Sequence, residues 1–167
     1  GRERRGEADE YTGEWRADER SGQGILRGPH GSFCEGRWTH NVATGPGTCM
    51  SDTGVEITGN WDGDVATNGV IKLRGGATYE GNLYDPAVPS VDARFLEWLE
   101  RVADDGDPTA ALLLGDAYRR FRQPAPDPAQ ASRWLSRAAA GGLAQAQYGL
   151  AELTFEQSGL SEHVLEL

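Results

Sequence analysis

The chain has 167 residues, enough for one or two domains, and its 26 Asp and Glu against 16 Lys and Arg leave a net charge of −10. The acidity is shared: residues 1–86 carry 9 basic and 14 acidic side chains, and residues 87–167 carry 7 and 12. Such a chain gains nothing from counterion release, so nucleic acid is excluded as a partner. Anionic membranes attract clustered Lys and Arg, so they are disfavoured as well.

Residues 1–10 are charged and lack periodicity, and they read as a flexible lead-in. Arg2, Arg4 and Arg5 form the one basic cluster there, diluted by Glu3 and Glu7. No run approaches the roughly 18 apolar residues of a membrane span. No signal peptide is visible. The chain starts at Gly1 rather than methionine, and the expectation is a fragment of a larger protein. Fifteen arginines against one lysine hint at a GC-rich, bacterial genome.

From residue 11 a phrase recurs: Tyr11-x-Gly13-x-Trp15, Cys34-x-Gly36-x-Trp38, Ile57-x-Gly59-x-Trp61 and Tyr79-x-Gly81-x-Leu83. Its glycines are 23, 23 and 22 residues apart, a period that marks a repeat architecture. In a strand, positions i, i+2 and i+4 share one face. Gly22-x-Gly24 and Gly45-x-Gly47 follow the first two phrases, while Asn68-Gly69 is a degraded third copy. Each unit reads as a β-hairpin with a medium, six-residue loop, at 16–21, 39–44 and 62–67. Glycine rows let a ring from the neighbouring strand lie over the backbone. One hairpin is marginal in water, so residues 11–85 are expected to stack as one repeat sheet. Trp15, Trp38 and Trp61 are then either core filler or, with Tyr11 and Tyr79, the lining of a partner groove.

If Gly36 pairs with Gly47, Cys34 falls opposite Cys49. The same rule sets Tyr11 against Leu26 in the first hairpin. Opposed Cβ atoms lie about 4.5–5.5 Å apart, and a disulfide prefers roughly 3.5–4.5 Å. The spacing permits a bridge between Cys34 and Cys49 without requiring one.

Residues 86–90 form a linker, because Pro86 and Pro89 deny strand or helix continuation. The period then becomes helical over residues 91–167. Val91, Phe95, Trp98, Leu99, Val102 and Ala103 share one face of a first helix, ended by Gly106. Asp107-Pro108 and Asp127-Pro128 read as N-caps followed by proline at the first helical position. The second helix runs to about Phe121, and a stiff loop follows at Gln123 to Pro126. Gly141 and Gly142 stop the third helix. A fourth is expected from Ala144 to Phe155, and a short fifth after Gly159. This half repeats at 36 residues: Trp98 matches Trp134, Leu99 matches Leu135, Ala110 matches Ala146 and Leu114 matches Leu150. The fold class expected is α+β: an antiparallel hairpin-repeat sheet, then an α-helical hairpin solenoid.

The Tyr-x-Gly-x-Trp phrases and Gly-x-Gly pairs resemble the MORN (membrane occupation and recognition nexus) repeat. That resemblance implies an extended, twisted sheet of hairpins that binds proteins and sometimes lipid headgroups. Cys34 and Ile57 at tyrosine positions, and Leu83 for tryptophan, depart from the pattern. Between 91 and 158 a second resemblance is to the Sel-one-like repeat, a relative of the tetratricopeptide repeat. It is carried by Leu114-Gly115-x-x-Tyr118, then Asp127-x-x-x-Ala131-x-x-Trp134-x-x-x-Ala138-Ala139-x-x-Gly142, then Ala144-x-Ala146-x-x-x-Leu150. It implies a protein-interaction scaffold, in bacteria often in envelope or signalling assemblies. Envelope or periplasm is therefore favoured over cytoplasm.

No catalytic constellation is legible. His30, His40 and His163 lack metal-ligand spacing, Cys34 and Cys49 lack a CxxC arrangement, and Gly22-x-Gly24 does not open a helix. Asp104 to Asp107 lacks the full calcium-loop pattern. The expectation is a non-catalytic scaffold or adaptor, without cofactor or metal, that holds a protein partner. The alternatives are a lipid-headgroup or membrane-apposition module, and a regulatory region of an enzyme lying elsewhere in a longer chain.

Overall fold

A computed structural model describes residues 2–5, 9–63, 65–85, 90–120 and 126–165; for 2–5 and 158–165 it describes the backbone path alone. The chain divides into two compact units, Gly1–Val88 and Pro89–Leu167.

The first unit is an antiparallel sheet whose eight strands lie in chain order. They are β1 (Arg2–Arg5), β2 (Asp9–Arg16), β3 (Glu19–Arg27), β4 (Phe33–Thr39), β5 (Val42–Met50), β6 (Glu56–Asp62), β7 (Val65–Lys72) and β8 (Thr78–Asn82). The expected lead-in therefore contains a strand: β1 pairs with β2, setting Glu3 against Tyr11 and Arg5 against Asp9. Its row of charged residues suits an edge, where charge discourages further strand pairing.

The hairpins are tighter than expected. Ala17 and Asp18 have φ of 49° and 63°, and His40 and Asn41 have 48° and 71°. Two consecutive positive φ values make a two-residue type I′ turn, whose twist matches that of the flanking strands. The third turn carries Gly63 at φ 64°, and its next residue lies outside the described set. The remaining residues of the expected loops extend the strands. The surplus is absorbed in bulges: Gly13 pairs with Gly24, but Glu14 pairs with Ser21. Gly36 and Arg37 bracket the same shift against Gly47 and Thr44. Gly22 and Gly45, at φ 61° and 67°, hold the left-handed conformation that such bulges favour.

Two rows then cross the sheet. Gly13, Gly24, Gly36, Gly47, Gly59, Gly69 and Gly81 pair in succession over seven strands. The third repeat loses only the first glycine of its pair, so the row is unbroken. Parallel to it run Tyr11, Leu26, Cys34, Cys49, Ile57, Ile71 and Tyr79, again in register. Cross-strand neighbours of this kind are what stabilise a sheet.

The second unit has four helices: α1 (Ala93–Asp104), α2 (Pro108–Arg120), α3 (Pro128–Ala140) and α4 (Ala144–Leu165). Asp92, Asp107 and Asp127 each accept from two backbone N–H groups of the helix that follows. Consecutive helices pack, burying Phe95, Trp98 and Leu99 on α1, Leu114 on α2, and Trp134 and Leu135 on α3. A Cβ on Gly115 would strike the Leu135 side chain at 2.6 Å, so that glycine sets the α2–α3 approach. Two expectations are corrected. The first helix begins at Ala93, because Asp92 caps it. The fourth continues through Gly159 to Leu165, leaving no separate fifth helix. An isolated glycine costs a helix only about 1 kcal/mol, and no proline stands there to stop it. The expected linker and the stiff loop after α2 lie, but for Ser90 and Pro126, outside the described residues. No described helix is long and apolar enough to cross a membrane.

Candidate functional site

The aromatic face of the sheet begins at Tyr11. Its ring is buried and forms a core cluster with Trp38 and Ala43, against which Trp15, Leu26, Cys34 and Trp61 pack. Tyr11 meets Trp15 edge-on at 5.2 Å between ring centroids, and Trp38 edge-on at 5.5 Å. Such T-shaped pairs set the positive edge of one ring on the negative face of another. The Tyr11 ring also lies over the glycine row, where a Cβ on Gly24 would run into it. Its hydroxyl donates to the carbonyls of Glu14 at 3.2 Å and Ser21 at 3.4 Å. Burial raises the Tyr11 pKa; the Arg20 cation works against that shift and the Glu14 carboxylate adds to it.

The tryptophans divide by their N–H groups. Trp38 Nε1 donates to the Gly24 carbonyl at 3.1 Å, and Trp61 Nε1 donates to the Gly47 carbonyl at 3.2 Å. Both acceptors are the second glycine of the preceding hairpin. Trp15, at the start of the array, is half-buried, and its shielded Nε1 has no acceptor. Tyr79 is also half-buried, on β8, with its hydroxyl above Gly81. The structure thus gathers Tyr11, Trp15, Trp38 and Trp61, and sets Tyr79 at the far end of the row.

Cys34 and Cys49 occupy the middle of that row. They are directly paired, with Cα atoms 4.0 Å apart, and the structure joins them as a disulfide. Here two small sulfur side chains stand where the first hairpin sets Tyr11 against Leu26.

Sequence reasoning missed Arg20 and Asn41. The Arg20 guanidinium lies 4.7 Å above the Trp38 ring and 5.8 Å from the Tyr11 ring. Asn41 anchors it by accepting from Arg20 Nη2 at its backbone carbonyl. The signal available was an asparagine at a turn position that needs positive φ. Among the described residues no three His, Cys, Asp or Glu side chains converge as a metal site. What the face offers chemically is apolar and aromatic surface and an arginine held over rings; the unused Trp15 N–H is shielded from solvent.

No curated protein matches the chain. MORN repeats are commonly protein- or membrane-interaction modules and are typically non-catalytic. The agreement lies wholly within the sheet: residues 11–33 and 34–55 each match the MORN repeat.

Proposed function

We propose that this protein is a non-catalytic interaction scaffold whose sheet takes a protein partner at the Trp15 end of its aromatic face. The contrast between Trp15 and the later tryptophans carries the reading. Trp38 is buried, and Trp38 and Trp61 each have an acceptor for N–H, whereas Trp15, half-buried like Trp61, has that donor unused. That N–H is shielded from solvent, so the half-exposed ring is the surface a partner would meet. Tyr11 and Trp38 are too buried to touch a partner and serve to hold Trp15 in place. The acidic charge favours protein over an anionic lipid surface.

The helical unit is read as a second interaction module, a helix-hairpin array of the Sel-one-like kind in a bacterial scaffold. Its support is the 36-residue correspondence together with the consecutive packing of α1 to α4.

The test is a pull-down with Trp15→Ala beside the parent chain, with melting temperature measured on both. Weaker capture of a partner at little change in melting temperature is expected. Unchanged capture with lost stability would return Trp15 to the core. Salt-sensitive co-sedimentation with phosphatidylserine vesicles would favour the membrane reading instead.

A further inference from the structure

The last helix carries two apolar faces and covers one. Ala146, Gly149 and Leu153 are buried toward the rest of the unit. Opposite them, Ala144, Tyr148, Ala151 and Phe155 form a second stripe at helical spacing, and all four are exposed. Tyr148 is 68% and Phe155 79% exposed. A helix that is apolar on both sides is normally sandwiched.

The internal repeat says what the sandwich contains. Shifted by 36 residues, Tyr148 corresponds to Leu112, Ala151 to Gly115 and Phe155 to Arg119. Leu112 and Gly115 are buried, and the Arg119 side chain, 8% exposed, lies against Glu152 and Gly149 of α4. The helix packed on α2 there is α3, whose Leu135 presses on Gly115. Ala151, at the matching place on α4, carries the Cβ that Gly115 lacks, so a leucine over it would seat farther out than Leu135 does on Gly115. The rim is acidic. Glu152 is already engaged by Arg119 at 2.8 Å, while Glu156, 4.0 Å from the same guanidinium, is 62% exposed. A helix carrying arginines beside its apolar stripe, as α3 carries Arg133 and Arg137, complements that rim.

We propose that the Tyr148–Ala151–Phe155 face of α4 docks an amphipathic helix of a partner protein, one that sets a leucine over Ala151 and an arginine toward Glu156. This surface is independent of the sheet face, and its test leaves the Trp15 reading untouched.

The probe is a fluorescein-labelled peptide with the sequence of residues 127–142, which contains α3, titrated with the full chain and followed by anisotropy. Saturable binding is expected, weakened about tenfold or more by Phe155→Glu. Val70→Glu, an exposed site on the sheet, should leave it unchanged. A peptide with Leu135→Asp should not bind. Ala151→Arg provides a second block should Phe155→Glu disturb folding, with circular dichroism as the check. No saturable binding up to about 1 mM would overturn the proposal, as would binding indifferent to both substitutions. A dimer in sedimentation equilibrium that Phe155→Glu abolishes would assign the face to a second copy and also overturn it.

Discussion

Arg20 and Asn41 sit on successive hairpins and clasp each other through three hydrogen bonds. Arg20 N donates to Asn41 Oδ1 at 2.9 Å, Arg20 Nη2 donates to the Asn41 carbonyl at 2.8 Å, and Asn41 N donates to the Arg20 carbonyl at 3.2 Å. One residue thereby does two jobs. Asn41 tolerates the φ of 71° its turn demands, and its amide ties that turn to the hairpin before it.

Asn41→Ala should lose both contributions, about 1–3 kcal/mol in all. Asn41→Gly keeps the turn conformation and loses only the Oδ1 bond, so it should cost less. Urea midpoints of the two variants give the order; equal midpoints would show that the turn conformation contributes nothing.

Gly24 and Gly45 separate crowding from backbone strain. A Cβ at Gly24 would collide with the Tyr11 ring, whereas one at Gly45 meets open space at a φ of 67°. Gly24→Ala should cost about 2–3 kcal/mol through overpacking. Gly45→Ala should cost about 1–2 kcal/mol through its left-handed backbone. Tyr11→Phe removes the atom nearest that Cβ and should partly rescue Gly24→Ala in a double-mutant cycle, while leaving Gly45→Ala unrescued.

Tyr11 also sets a pH dependence. Its pKa in the folded chain is raised above 10.0, first by burial. The stability this contributes is complete below pH about 10 and is lost as pH rises through the folded value. Tyr11→Phe should give up about 0.5–1.5 kcal/mol at neutral pH with the hydroxyl's bonds. It should also flatten the alkaline decline of the sheet. Tyr118, raised by burial and then by Glu100, acts in the same direction in the helical unit. Melting followed separately for the two units between pH 8 and 11 checks the assignment.

The Cys34–Cys49 bridge closes a separation of 15 residues. Cross-linking a loop of that length is worth about 3 kcal/mol in the chain-entropy account. Thiol titration of the denatured, unreduced protein should find no free cysteine, and reductant should lower the melting temperature of the sheet. Two titratable thiols would mean that the pair stays reduced as small half-buried side chains.

Much of the sheet was legible because strands have a period of two and the glycines recur in register. Pairing Gly36 with Gly47 places Cys34 opposite Cys49, and that arithmetic needs no coordinates. The caps at Asp107 and Asp127 and the 36-residue helical period were legible on the same local grounds. The turns were not: six polar or small residues between Trp15 and Gly22 look like a loop. Only closing the hairpin shows that Ala17 and Asp18 turn it alone while a bulge at Gly22 absorbs the surplus. β1 was hidden because a short charged run has no hydrophobic alternation, and its partner is what makes it a strand. The aromatic residues read as one class, since the repeat writes Trp15, Trp38 and Trp61 in the same phrase. Their differences come from place in the array: Trp38 and Trp61 each have a preceding hairpin to supply a glycine carbonyl. In the same way Tyr148 and Phe155 read as ordinary helix residues until the packing of α4 shows which of its faces is covered.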